Sequence, residues 1–103
     1  MNAKKAYNLR PKARLDLQDI YSWGREQFGE RQAEFYLFEI FDHLDLIKDK
    51  PGLFPQVNNY HAGLRRCPIG AHSIYYIIEE DEISVVRIIG RQDPIKSFAG
   101  QFE

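Results

Sequence analysis

Four arginines in the stretch from Gly63 to Pro94, GLRRCPIGAHSIYYIIEEDEISVVRIIGRQDP, are the residues of this chain best placed for recognition or chemistry. Arg65, Arg66, Arg87 and Arg91 punctuate three apolar, β-branched and aromatic runs. A guanidinium is planar, permanently charged and rich in donors, so it either binds a partner's acceptors or pairs internally. Arg65 and Arg66 are neighbours on a strand and point to opposite faces. Arg87 interrupts Val85-Val86 and Ile88-Ile89, where an unpaired charge would be costly to bury. Two readings follow for it: pairing with Asp93 or with a helix acid, or membership of an arginine patch on an open sheet face. Tyr75 and Tyr76 put one phenol on each face of their strand, which suits an interface or a stacking platform for RNA bases.

Other reactive chemistry is sparse. Glu79-Glu80-Asp81-Glu82 reads as a solvated hairpin tip, since paired carboxylates must converge across a cleft to act as acid and base. Cys67, beside Pro68 on a strand, reads as a small buried apolar residue rather than a nucleophile, and as the single cysteine it forms no internal disulfide. His43, His61 and His72 are widely spaced with no CxxC beside them, and GxSxG, P-loop, GxGxxG and HExxH motifs are absent. No catalytic residue, metal or cofactor is therefore expected.

The elements that must position these residues are legible from periodicity. Lys4 to Leu9 suits a short edge strand with Tyr7 and Leu9 on one face. Pro11 fits the first turn of a helix, and Ala13, Leu17, Ile20, Tyr21 and Phe28 recur at helical spacing from Lys12 to Phe28. Gly24 inside that run weakens a helix and marks either a close backbone approach or a tolerated weak point. Gly29 ends the helix. Ala33, Tyr36, Leu37, Ile40, Phe41, Leu44 and Ile47 then form a second helical stripe, from Glu30 to Lys50, stopped by Pro51-Gly52. Leu53 to Ala62 reads as an irregular loop. Leu64–Ile69, Ser73–Ile78 and Ile83–Ile89 read as strands, with Pro68 placing the first at an edge. Ile77-Ile78 and Val85-Val86 suit central strands covered on both sides. The expected architecture is α+β, a twisted antiparallel sheet packed against an N-terminal helical hairpin.

Trp23 lies off the apolar stripe of the first helix, and Phe35, Phe38 and Leu46 lie off that of the second. Such aromatics either extend the core or, if exposed, line a groove for an amphipathic partner helix.

The chain has 103 residues, 44% of them hydrophobic, which supports one domain spanning 1–103. Lys plus Arg is 14, Asp plus Glu is 15 and the net charge is -1. That balance argues against a general nucleic-acid coat or a membrane-surface binder. The opening MNAKKAYNL holds no long apolar run, so a cytoplasmic protein without a membrane span is expected.

Taken in order, several segments resemble the ParE toxins of bacterial toxin–antitoxin pairs, within the RelE/ParE superfamily. They are Ala13-x-x-x-Leu17-x-x-Ile20 with Phe28-Gly29; Tyr36-Leu37 and Leu44; Gly63-Leu64-Arg65-Arg66 with Pro68-x-Gly70; and Ile74-x-Tyr76, Val86-Arg87-Ile88 and Gly90-Arg91-x-Asp93. The resemblance implies a toxin that poisons DNA gyrase and is neutralised by a ParD-like antitoxin, whose disordered C-terminal segment folds along the helical hairpin. It nominates Trp23, Phe35, Phe38, Arg65 and Arg87 for the antitoxin, and Arg66, Arg87 and Arg91 for the target. This chain departs from the pattern at Ile89, where many relatives have histidine, and at Gly24, where the residue is usually larger. Two other functions compete. A RelE-like ribosome-dependent mRNA endonuclease would draw on His72, Tyr75 and Arg87, but the tail IKSFAGQFE supplies neither histidine nor tyrosine. A degenerate, non-toxic module would bind only the antitoxin.

Overall fold

Backbone breakers set the element order. The structure, a computed structural model, describes residues 6–90. Lys4, Lys5, Arg91, Asp93 and the tail after Pro94, all drawn on above, lie outside the described residues. Strand β1 (Ala6–Leu9) leads into helices α1 (Pro11–Phe28) and α2 (Glu30–Asp49), then a 3-10 turn at Pro51–Leu53. Strands β2 (Leu64–Ile69), β3 (His72–Ile78) and β4 (Glu82–Ile89) complete the order.

Pro11 occupies the first turn of α1, where its missing N–H is not needed. Gly29 ends that helix with φ +94°, and its N–H donates to the Arg25 carbonyl at 3.0 Å. Only a residue without a Cβ takes that conformation freely, so one glycine reverses the chain and sets α1 against α2. Gly24 faces Ala33 across this hairpin; a Cβ there would sit 3.5 Å from that of Ala33. The close approach between helices therefore fits alanine at most without movement.

The sheet order is β1-β4-β3-β2. β2, β3 and β4 pair antiparallel as expected, but β1 joins β4 in parallel, with Tyr7 opposite Ile83 and Leu9 opposite Val85. The sheet is thus mixed, not wholly antiparallel. Strand direction here is set by the helical hairpin returning the chain to the far side, a long-range outcome that local periodicity does not carry. Pro68 sits on edge strand β2, where its missing donor breaks no interior ladder. A bulge between Tyr75 and Tyr76 leaves Val86 as the extra residue on β4.

Both sheet faces are covered. On one, Ala13, Leu17, Ile40, Leu44 and Ile47 from the helices meet Tyr76, Val85 and Ile88. On the other, Leu64, Tyr75, Val86 and Ile89 form a second cluster under Val57 and Tyr60. The loop carrying those two residues is fastened by main-chain bonds: Val57 N–H to the Leu64 carbonyl (2.6 Å) and Arg66 N–H to the Pro55 carbonyl (3.1 Å). The far face is therefore no open platform, because its apolar residues needed a cover and the loop supplies it.

Candidate functional site: a groove along the helical hairpin

The buried charge pair of the fold sits at the end of β1. That strand stops opposite Val85, and the chain turns into α1 with Arg10 N–H donating to the Val85 carbonyl at 3.0 Å. Beyond that point Asp16 of α1 takes over the edge of β4. Its Oδ2 accepts Ile88 N–H at 2.9 Å and Arg87 Nε at 2.7 Å, and its Oδ1 accepts Arg87 Nη2 at 2.8 Å. The side chains of Arg87 and Asp16 are 14% and 11% exposed. The hydrogen bonds to Asp16 raise the Arg87 pKa, against desolvation. Arg87 thus pairs with a helix acid, the first of its two readings. Asp16 was missed as a site residue, although the sequence held a signal: it occupies the i+3 position of the stripe Ala13-x-x-Asp16-Leu17-x-x-Ile20, where an acid has no apolar reason to be.

The other arginines serve different contacts. Arg65 is half-buried, and its Nη1 donates to the Phe54 carbonyl at 2.5 Å, tying down the loop before β2. Arg66 is exposed, opposite Tyr75, with Nε donating to Ser73 Oγ at 2.9 Å. The two do point to opposite sides of β2. Tyr76 is fully buried and its hydroxyl donates to the Pro51 carbonyl at 2.6 Å. Tyr75 is 5% exposed and lies edge-on to Tyr60, ring centres 6.5 Å apart. A stacking platform on either tyrosine would require the covering residues to leave, so that expectation is corrected. Cys67 is fully buried, and burial pushes its thiol up to about 11, which keeps it protonated and unreactive. Glu79, Glu80 and Asp81 form an exposed tip at the β3–β4 turn.

The aromatics that lie off the helical stripes are exposed, and so, against its place in the α1 stripe, is Phe28 at the end of that helix next to Gly29; together they divide between two surfaces. Phe35 and Phe38, 58% and 59% exposed, stand on the side of α2 opposite its buried Ile40 and Leu44. Trp23 and Phe28, 57% and 65% exposed, meet edge to face at 5.6 Å on α1. Beneath Trp23 runs a groove in two connected parts of about 330 and 310 Å³, which share Ile20, Trp23 and His72.

His72 is the polar centre of this groove. Its Nδ1 lies 2.7 Å from the Tyr36 hydroxyl, which also lies 3.0 Å from the Ile69 carbonyl. A carbonyl only accepts, so the tautomer that satisfies both contacts gives the single phenolic proton to Ile69 and has Nδ1–H donate to Tyr36. The neutral ring then carries its lone pair on Nε2. Burial lowers the His72 pKa, partly opposed by the charge of Asp16. Gly70, in the β2–β3 turn with φ +55°, makes room for Tyr36: a Cβ there would lie 2.8 Å from the phenol ring. Tyr36 and the groove role of His72 were not evident from the sequence, because both depend on a contact between α2 and β3.

Comparison with known proteins agrees with this architecture. Residues 7–94 match the family model described as the ParE toxin of the type II toxin–antitoxin system parDE. The chain is 31% identical over 85 residues to Toxin ParE1 of Caulobacter vibrioides, covering 82% of this chain and 88% of that protein. It is 30% identical over 84 residues to Toxin ParE1 of Mycobacterium tuberculosis, covering 81% and 86%. A solved structure of the chromosomal ParDE toxin–antitoxin system from P. aeruginosa superposes with a TM-score of 0.75 at 18% identity, covering 86% of this chain and 98% of that one, which establishes the shared fold. On the family match across most of its length and these two relatives, the chain belongs to the ParE toxin family of type II toxin–antitoxin systems.

Proposed function

We propose that this protein poisons DNA gyrase by protein–protein contact, without catalysis of its own, and is neutralised by a ParD-like antitoxin bound along the helical hairpin. The observation that carries this reading is the exposure of Trp23, Phe28, Phe35 and Phe38, each more than half accessible, on one helical hairpin. Pairs of large exposed apolar side chains, Trp23 with Phe28 on α1 and Phe35 with Phe38 on α2, suit a partner that wraps the hairpin. The groups that a nuclease would use are instead committed internally: Tyr75 to Tyr60, Arg87 to Asp16, and His72 Nδ1 to Tyr36. Among the described residues no helix is long and apolar enough to cross a membrane, and the gyrase reading places the protein in the cytoplasm.

Within this reading, Trp23, Phe35 and Phe38 are antitoxin contacts. Arg65 shapes the loop beside β2, and Arg87 holds α1 to β4 beneath the groove, so both support the antitoxin surface from behind. Arg66, exposed on β2, and Arg91 are target contacts, with Arg87 contributing through its hold on β4. The test is a purified gyrase supercoiling and cleavage assay with a translation reaction beside it. Accumulated cleaved DNA is the expected result, whereas ribosome-dependent mRNA cuts would replace this function with the nuclease. Harmless expression without antitoxin in a sensitive bacterium would point to a degenerate toxin.

A further inference from the structure

The two ends of the groove differ in chemistry. One end is apolar, walled by Gly24, Phe28, Ala33, Tyr36 and Ala71. The other holds Asp16 and Asp19 beside Ile88 and Gly90. Trp23 and His72 belong to both. Asp16 is spent on Arg87 and Ile88 N–H, so its charge is largely neutralised in place. Asp19 is exposed, one turn further along α1, and makes no ion pair among the described residues. Trp23 follows four residues later on the same helix face. The Asp19 carboxylate, the Trp23 indole and the His72 imidazole therefore line one space, and a carboxylate, an indole face and an imidazole lone pair each attract a cationic donor. The neighbouring apolar end suits a large aliphatic or aromatic side chain.

We propose that this groove is the site that determines antitoxin specificity, reading an apolar side chain at its Phe28 end and a lysine or arginine at its Asp19 end. The inference rests on the antitoxin reading above and adds to it the chemistry of the partner and two residues, Asp19 and His72. The partner's cation lies over Trp23, pairs with Asp19 and donates to His72 Nε2. Asp16 and Asp19 of α1 line the groove together with His72, Tyr36 of α2 bonds its Nδ1, and the charge of Arg87 is taken up by Asp16. Protonating His72 turns its acceptor into a donor and adds positive charge beside the bound cation. Complex formation therefore weakens as the pH falls below the range in which the ring is neutral.

The test uses the full chain and its cognate antitoxin in calorimetric titrations. Asp19→Lys lies on the surface and keeps the thermal midpoint, yet is expected to weaken binding about 10- to 100-fold, the range of one lost interface contact of this kind. Reversing one basic residue of the antitoxin's bound segment to glutamate should restore affinity to Asp19→Lys and weaken binding to the natural toxin, a charge swap that misfolding cannot imitate. Asp19→Lys with unchanged affinity, or no basic residue giving that swap, overturns the proposal while leaving the antitoxin reading intact. His72→Gln keeps an acceptor that does not titrate near neutrality and should flatten the acid fall in affinity; an unaltered pH profile counts against the role of His72. If the natural toxin does not bind the antitoxin at all, both readings fall together.

Discussion

Asp16 and Arg87, 71 residues apart, form a two-pronged ion pair that also closes the edge of β4 where β1 ends. One carboxylate satisfies a guanidinium and the main-chain N–H of Ile88 at once. Without it, a charge and a strand donor would both be left with little solvent. The pair joins the first helix to the last strand, and the groove beneath Trp23 is built over that joint.

Asp16→Ala is expected to cost about 3–5 kcal/mol of stability, because breaking a buried pair leaves the surviving charge unsatisfied. Urea denaturation followed by circular dichroism measures it. Arg87→Ala should be costly for the same reason, and the double substitution should cost less than the two single losses added together. Additive losses would mean that the pair does not act as a unit. Loss of toxicity in Arg87→Ala is therefore informative only when scaled to the folded fraction.

Cys67 should be inert to thiol reagents at pH 8 in the folded protein, since it is fully buried and its thiol is pushed up to about 11. It should react fully once guanidinium unfolds the chain. Rapid labelling under native conditions would show that the sheet opens far more often than its packing implies.

The His72 ring titrates below 6.5 in the folded chain and near 6.5 when unfolded, the depression arising first from burial. As the pH drops through that window the unfolded chain takes up the proton first, so stability falls. The full contribution is present above pH 6.5 and lost below the folded pKa. In His72→Asn, which keeps a donor for Tyr36, this part of the acid slope should vanish from denaturation measured across pH 4 to 8. An unchanged slope would assign it to other groups.

Phe35→Ser with Phe38→Ser should change stability by no more than about 0.5 kcal/mol per site, because both side chains are exposed and away from the core. If the outer face of α2 is an antitoxin contact, the same double variant should weaken antitoxin binding at least about tenfold. Unchanged affinity would confine the antitoxin to the α1 side, where Trp23 stands.

Local signals were sufficient for most elements. In the α2 stripe Ala33, Ile40, Leu44 and Ile47 are buried and Tyr36 and Leu37 partly so, as the spacing implied, whereas Phe41 is exposed; Pro11, Gly29 and Pro51 fall at element boundaries. The strands begin and end within a residue or so of their apolar runs. Such features are legible because helix and strand periods are fixed by neighbours a few residues away. That Trp23, Phe35 and Phe38 lie outside those periods was legible too, but the choice between extra core and an exposed surface was made by the tertiary structure, which exposes all three.

By itself the sequence determined the helical hairpin, the β2–β4 meander, the buried thiol and the ParE resemblance, all of which rest on short-range pattern or ordered motifs. Tertiary structure alone decided that β1 runs parallel to β4, that Tyr75 lies under Tyr60, and that Arg87 chose Asp16. It also decided that Arg65 and Arg87 are held by internal acceptors, and that Trp23 and His72 line a common groove. The reason is physical: pairing partners and covered faces are set by contacts between residues tens of positions apart, and no local period encodes which of several acids a buried arginine will meet.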